Sequence, residues 1–327
     1  MNDTDDKSHS TPRATVDATG EHAFGEALPS PGAPPMVVLA ERKRFAERAQ
    51  RLHQLAERLP AMADYLRFMA SVVEAQHRVA MQTRPSLVDS AEVAIKHGVP
   101  PLAVDGLWRD MPWNEDLEAL LGELDETIGE AQRAWFEALK SRSLAARREL
   151  VVAIFEGRAL DAESMAMAPL VGAALQVAWT RQARMLPRPP GRPSESMRML
   201  CPCCGSPAVA SVIQIGMARS KVRYLHCGLC ATEWYAERAR CVQCGDSKTL
   251  DYCGLEDESG ERALPVNAET CDNCHSYLKV MQREWEAGAD PVADDLASLA
   301  LDMMIADRDL ARRAFNPLLV LGEPAVD

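Results

Sequence analysis

Four Cys-x-x-Cys pairs fall within 74 residues near the carboxyl end of this chain: Cys201/Cys204, Cys227/Cys230, Cys241/Cys244 and Cys271/Cys274. They use eight of its ten cysteines. At this spacing two thiolates turn onto one metal ion, and two such pairs complete a tetrahedral all-sulfur site. Four pairs therefore predict two closed sites, with all eight of these cysteines as ligands. Compartment decides between metal and disulfide. The first ten residues are polar and acidic, without the apolar core of a secretory signal, and no run of eighteen apolar residues occurs. A cytoplasmic protein with no membrane insertion is the expectation, and in that reducing setting paired cysteines bind metal or do redox work.

The first unit reads CPCCGS, then 22 residues, then CGLCAT; the second reads CVQCGD, then 26 residues, then CDNCHS. Ten residues separate the units. Gly205 and Gly245 follow the second cysteine of their pairs, where the chain must turn tightly so that backbone N–H groups can point at sulfur. Pro202 pre-sets the backbone of the first knuckle. A ribbon of about forty residues buries too little surface to fold alone, whereas a structural zinc contributes on the order of 10–16 kcal/mol in such a peptide. Sequential pairing within each unit suits a hairpin between knuckles; a nested arrangement is the alternative. Four thiolates suit zinc or a single iron equally by geometry. Cys203 and Cys253 are left over and are read as small core residues, and His226 and His275, beside cysteine pairs, as packing or hydrogen-bonding groups.

The remaining pattern divides the chain. Residues 1–36, rich in Ser, Thr, Pro, Gly and Asp, read as a disordered tail. Residues 37–186 read as an α-helical domain: Phe45, Ala49, Leu52, Leu55 and Leu59 share one helix face up to Pro60, and Tyr65 to Ala75 suggest a second helix. Further helices are expected over Asn114–Lys140, Leu144–Glu156 and Asp161–Met185, with Asp161 as N-cap, giving a bundle of four to six. PRPPGRPSES breaks the pattern and marks a linker over 187–198. Short β-rich runs follow at Val209–Ile215, Lys221–His226, Thr232–Ala236 and Thr249–Leu255. They belong to a first ribbon over 199–236 and a second over 237–282. A C-terminal helix and tail fill 283–327, with Asp290-Pro291 as cap and first residue and Asp294 and Asp295 in the first turn, where the helix dipole favours negative charge. The fold class is multidomain α+β: an N-terminal α-helical bundle, two small rubredoxin-like or zinc-ribbon metal domains, and a C-terminal helix.

Charge narrows the function. The chain carries a net −12, which disfavours a polyanionic partner. Cys201 to Val280 holds eight Lys/Arg against ten Asp/Glu, and two divalent ions with four thiolates each take the region to about −6. Nucleic-acid-binding ribbons usually carry a basic face; here only Arg219, Lys221 and Arg223 cluster. The thioredoxin motif occurs once, after a strand, unlike these four pairs. No phosphate loop, dinucleotide fingerprint, nucleophile elbow or His-Glu-x-x-His occurs, so no catalytic or cofactor-binding residues are nominated, the eight cysteines being metal ligands only, and the chain is not expected to be an enzyme. For a recognition surface, the ribbon rim at Thr232, Glu233 and Trp234 is nominated.

Several ordered segments carry a further signal. CPCCGSPAV (201–209), SVIQIG (211–216), YLHCGLCATEW (224–234), CVQC (241–244), ETCDNCHSYLK (269–279) and DPVADDLASLALD (290–302) closely resemble the FdhE family, the formate dehydrogenase accessory proteins of proteobacteria. The likeness covers about Val37 to the C-terminus and is densest from Cys201 onward. It implies a helical domain joined to two rubredoxin-like metal domains, with iron as the family's associated metal. It also implies a cytoplasmic protein needed for active respiratory formate dehydrogenase but absent from the finished enzyme. The implied client is the catalytic subunit, containing molybdenum and often selenocysteine, handled before twin-arginine export. The eight paired cysteines match the family's knuckles one by one; Cys203 and Cys253 do not. Two other readings compete: an iron protein passing electrons to the client, and a zinc-ribbon nucleic-acid binder. Self-association as a homodimer is left open.

Overall fold

Helical periodicity and the cysteine ribbons occupy separate stretches of chain, and in the computed structural model they pack against each other. The structure describes residues 34–215, 221–256, 259–260 and 262–319. The tail expected over 1–36 lies outside the described residues up to residue 33, as does the tail beyond residue 319. Pro35 and Met36 are docked on the sheet: their carbonyls accept hydrogen bonds from Tyr224 Oη at 2.9 Å and from the Tyr235 N–H at 2.9 Å. Strand β1 (Val37–Val38) follows directly.

Helix α1 (Arg44–Arg58) buries Phe45, Ala49, Leu52 and Leu55 on one face, as the three- and four-residue spacing predicts. Helix α2 (Ala63–Ala80) lies against it and buries Leu66, Met69, Val72 and Val73. Short helices α3 (Ala91–Lys96) and α4 (Val104–Leu107) lead to α5 (Trp113–Leu124) and α6 (Glu130–Ser141). A single helix was expected over Asn114–Lys140. The run breaks because Thr127 turns its hydroxyl onto the Leu124 carbonyl at 2.9 Å, Arg133 binds the carbonyls of Asp125 and Ile128, and Gly129 starts α6 in extended backbone. Helix α7 (Leu144–Glu156) is capped by the Ser143 side chain and ends at Gly157 in the left-handed conformation.

Helix α8 (Ala162–Arg184) is the axis of the helical part. Asp161 caps it by accepting the Ser164 N–H at 2.7 Å. From Leu170 to Ala183 every residue is buried, so this helix is covered all round. Helices α2, α5, α6 and α7 cover one side; the ribbons cover another.

The β-rich part contains β2 (Ala208–Ile215), β3 (Lys221–Cys227), β4 (Glu233–Ala236), β5 (Leu250–Glu256), β6 (Arg262–Cys271) and β7 (Ser276–Gln282). The last two were not expected from sequence. Helices α9 (Pro291–Ala297) and α10 (Leu299–Ala306) and strand β8 (Ala311–Arg312) complete it. Strand order is β1-β4-β3-β2-β7-β6-β5, with β8 also on β7. Each cysteine unit keeps its own antiparallel strands. Parallel pairing of Ser211–Ile213 in β2 with Val280–Gln282 in β7 joins both units into one sheet.

Candidate metal centres

Each knuckle is a tight turn at a strand end. The first pair precedes β2 and the second leaves β3; the third precedes β5 and the fourth joins β6 to β7. In three of them the residue after the second cysteine returns its N–H to the first cysteine's carbonyl: Gly205 to Cys201 at 2.8 Å, Ala231 to Cys227 at 3.1 Å and Gly245 to Cys241 at 2.9 Å. That position has a positive φ in all four: Gly205 78°, Ala231 56°, Gly245 82° and His275 46°. Two glycines meet this requirement freely, whereas Ala231 and His275 hold a conformation costly to side chains with a Cβ.

The turns bring the sulfurs together in sequence order, which decides against the nested arrangement. Cys201 Sγ lies 3.5 Å from Cys230 Sγ, and Cys204 Sγ lies 3.5 Å from Cys227 Sγ. In the second unit Cys241–Cys274 and Cys244–Cys271 are each 3.7 Å apart. All four sulfurs of each group fall within 4.8 Å of one another. Disulfide sulfurs would sit at about 2.05 Å, whereas four thiolates around a tetrahedral ion at about 2.3 Å stand about 3.8 Å apart. The donor set therefore fits two metal ions per chain, one in each group.

The charge state of the sulfurs points the same way. Burial, followed by neighbouring thiols, pushes Cys201 well above the usual thiol range. Against burial, hydrogen bonds from Cys201, Cys203, Cys204 and Cys227 pull Cys230 well below it. A buried nest of thiols that cannot all ionise together is stabilised by a cation at its centre. In the second group, against burial, the hydrogen bonds of Asn273 and of the Asp246 backbone bring Cys244 down to about 6.

The two centres differ in surroundings. Cys201, Cys204, Cys227 and Cys230 are all buried. The loop before α4 covers the first knuckle, with the Leu102 N–H on the Cys203 carbonyl at 2.9 Å and the Val104 N–H on the Cys204 carbonyl at 3.1 Å. Helix α8 covers the second, through Gln176 Nε2 to the Gly228 carbonyl at 2.6 Å and Thr180 Oγ1 to the Leu229 carbonyl at 3.4 Å. The C-terminal segment closes over Gly228, where a Cβ would meet the Phe315 carbonyl oxygen at 2.5 Å. In the second centre Cys241 and Cys271 are buried, Cys274 is half-buried and Cys244 is exposed.

Other nominated residues fall as follows. Cys203 is buried beside Cys230, and Cys253 is partly buried in strand β5, so both pack as expected. His226 is buried with Nδ1 3.1 Å from Glu233 Oε1. His275 departs from expectation: its side chain is exposed, and its contribution is a carbonyl that accepts the Ala311 N–H at 2.9 Å. The nominated rim at Thr232, Glu233 and Trp234 is overturned, because all three are buried. Strand β1 pairs with β4 and covers that edge, and Trp234 Nε1 donates to the Arg198 carbonyl at 2.9 Å. Of the basic cluster, Arg219 lies outside the described residues, Lys221 pairs with Glu284 at 2.7 Å, and Arg223 is buried against Glu269 at 2.8 Å.

Sequence reading missed a buried ionic network behind the second unit. Asp290 caps α9 as expected, accepting the Val292 and Ala293 N–H groups. Asp294 and Asp295 are not surface charges on a helix dipole: both are fully buried. Asp294 receives Arg51 of α1 at 2.6 Å, and Asp290 receives Arg48 at 2.9 Å. Asp295 receives Lys279 Nζ at 3.0 Å, Arg312 at 2.7 Å and Asn316 Nδ2 at 2.8 Å. Asp302 receives Lys279 at 2.5 Å, Tyr277 Oη at 2.7 Å and Arg312. An available signal was the pair of arginines on the apolar face of α1, three residues apart. The network ties the strand leaving the fourth knuckle to α9, α10 and β8.

Three family models match in chain order: FdhE, N-terminal, over residues 33–195; FdhE, central domain, over 200–238; and FdhE, C-terminal domain, over 239–319. The central model ends between the two cysteine units. A Pseudomonas aeruginosa protein named Protein FdhE homolog is 40% identical over 295 residues, covering 88% of this chain and 94% of the relative. Protein FdhE of Escherichia coli O1:K1 is 37% identical over 293 residues, covering 89% and 92%. The crystal structure of the FdhE protein from Pseudomonas aeruginosa superposes with a TM-score of 0.77 at 38% identity, covering 88% of this chain and 100% of that one. With three consecutive models, relatives matched over nearly their full length and two four-sulfur groups, the chain belongs to the FdhE family.

Proposed function

We propose that this chain is an accessory protein in the making of respiratory formate dehydrogenase, acting in the cytoplasm on the catalytic subunit before export. Its eight paired cysteines hold two metal ions, iron or zinc, and the chain is not itself an enzyme. The observation that carries this reading is the completeness of the donor sets. Each group supplies four sulfurs from the chain itself, the arrangement of structural sites, whereas catalytic sites keep a position open for water or substrate. The absence of a helix long and apolar enough to cross a membrane among the described residues accords with it. In domain terms, a helical part over 37–186, a linker over 187–198 and ribbons over 199–236 and 237–282 would present the second ribbon, whose centre reaches the surface, to the client. Deletion should leave the dehydrogenase polypeptide made but inactive, with activity restored by the intact gene. Normal formate oxidation in the deletion strain would refute the role.

A second reading, electron transfer to the client by iron, is favoured by one observation: Cys244 brings a ligand sulfur of the second group to the surface. Anaerobically isolated protein would then carry iron. Zinc-only protein with full biological activity would remove this reading.

A further inference from the structure

Four sulfurs of one kind surround each centre, but the two centres are not equivalent. In the first, all four cysteines are at most 1% exposed, and α8, the loop before α4 and the C-terminal segment lie over the knuckles. A cleft of about 330 Å³ beside Phe155 and Phe315 runs up to Cys204, but none of that cysteine's surface is open to solvent. In the second, Cys241 and Cys271 form the floor and Cys244 stands at the surface, flanked by the exposed Gln243, Asp272 and Asn273. Its sulfur is held at the surface by the Asn273 side-chain amide at 3.4 Å. The adjacent strand β5 lies at the end of the sheet order, with Asp251, Tyr252 and Gly254 exposed. An incoming donor can therefore approach along the Cys244 edge while the core stays closed.

Resting on the reading that the eight cysteines hold two ions, we propose that the second centre is an exchange site, with Cys244 as the ligand that yields first to another protein supplying four thiolates, while the first centre keeps its ion as part of the fold. An ion held there would gain a bond to an incoming thiolate and lose its bond to Cys244, which is released as a thiolate, so ligand number and charge balance at each exchange. The metal keeps its oxidation state. Cys274, half-buried at the end of the same turn, would be exchanged next and the buried Cys241 and Cys271 last, each replaced by one incoming thiolate.

The test uses the full chain loaded with zinc. Elemental analysis comes first, and fewer than two ions per chain would overturn both the metal reading and this proposal. The loaded chain is then mixed with a metal-free synthetic peptide bearing two Cys-x-x-Cys pairs, and separately with a chromogenic pyridylazo chelator. One ion should leave in a fast phase and the other at least about a hundredfold more slowly, because it waits on opening of the packed core. Alkylation of the loaded chain, followed by mass spectrometry, should mark Cys244 first and spare Cys201, Cys204, Cys227 and Cys230. Asn273→Ala, which removes a hydrogen bond without removing a ligand, should speed that alkylation. Cys244→Ser removes a ligand of the second centre, so that variant should load one ion per chain and show the slow phase alone, unchanged in rate. Release of both ions in one phase, first labelling of a cysteine in the first centre, or a slow phase altered by Cys244→Ser would each overturn the exchange assignment while leaving two loaded sites intact.

Discussion

Lys279 offers a sharp test of how the second ribbon is held to the rest of the protein. Its side chain is wholly buried, with the ammonium 3.0 Å from Asp295 and 2.5 Å from Asp302, and it also donates to the Asp295 and Ser298 carbonyls at 3.1 Å each. Lys279→Met keeps the length and apolar stem and removes only the charge and its donors. Arg312 still reaches both carboxylates, so two negative groups then share one guanidinium. One buried negative charge is left uncompensated, which costs about 3–5 kcal/mol. The two orphaned carbonyls fall within that figure, since one ammonium served all four partners. Denaturant unfolding of the metal-loaded chain at pH 7.5 should show a lower midpoint with an unchanged slope. The deficit should also shrink toward pH 4.5. A buried carboxylate without its partner has a raised pKa, so the folded variant binds a proton more readily and recovers stability as pH falls. Adding Asp302→Asn to Lys279→Met should recover part of the loss for the same reason. A deficit below about 1 kcal/mol, the size of a surface ion pair, or one flat across that pH range, would show that no buried charge is stranded here and refute the reasoning.

Two further outcomes follow from the same geometry. Against burial, Arg312 and then Lys279 hold Asp295 at about 2, and against burial His226, Arg283 and Arg44 hold Glu233 at about 2. Both lie below their unfolded values, so each contributes about 2–3 kcal/mol that is complete above about pH 5 and is lost as pH falls toward 2. An acid titration of stability on the wild type and on Glu233→Gln checks this, the variant showing the shallower slope. At Gly172 of α8 a Cβ would lie 1.9 Å from the Pro317 carbonyl oxygen. Gly172→Ala should therefore displace the C-terminal segment and cost about 1–3 kcal/mol, and an unchanged melting temperature would show that segment to be free of the helix.

Much of the local structure was legible because its causes are local. The 3.6-residue periodicity of Phe45, Ala49, Leu52 and Leu55 placed α1 correctly, and Asp161 and Asp290 cap the helices they precede. Strands β2, β3 and β4, around the second cysteine pair, begin and end within a residue or so of expectation. Strands β6 and β7 escaped notice because they lie in the second ribbon, where Asn267, Glu269 and Lys279 interrupt the apolar run. Those polar groups are satisfied across the fold, Glu269 by Arg223 and Lys279 by Asp295 and Asp302. Trp234 was placed at the surface because nothing near it in sequence announces that residues 37–38 return to pair with its strand.

The cysteine spacing by itself determined that two four-sulfur centres form, since a Cys-x-x-Cys turn is a local geometry whose glycines and sulfurs lie within five residues. It also fixed the division into a helical part and a cysteine-rich part, because hydrophobic period is a local property. Tertiary structure alone decided that the two ribbons share one sheet, that one centre lies under α8 while the other reaches the surface, and that two aspartates at a helix start are interior partners of cations. Burial depends on what packs from elsewhere in the chain: α1 supplies arginines some 240 residues before the aspartates they meet, and strand β1 covers an edge it is distant from in sequence.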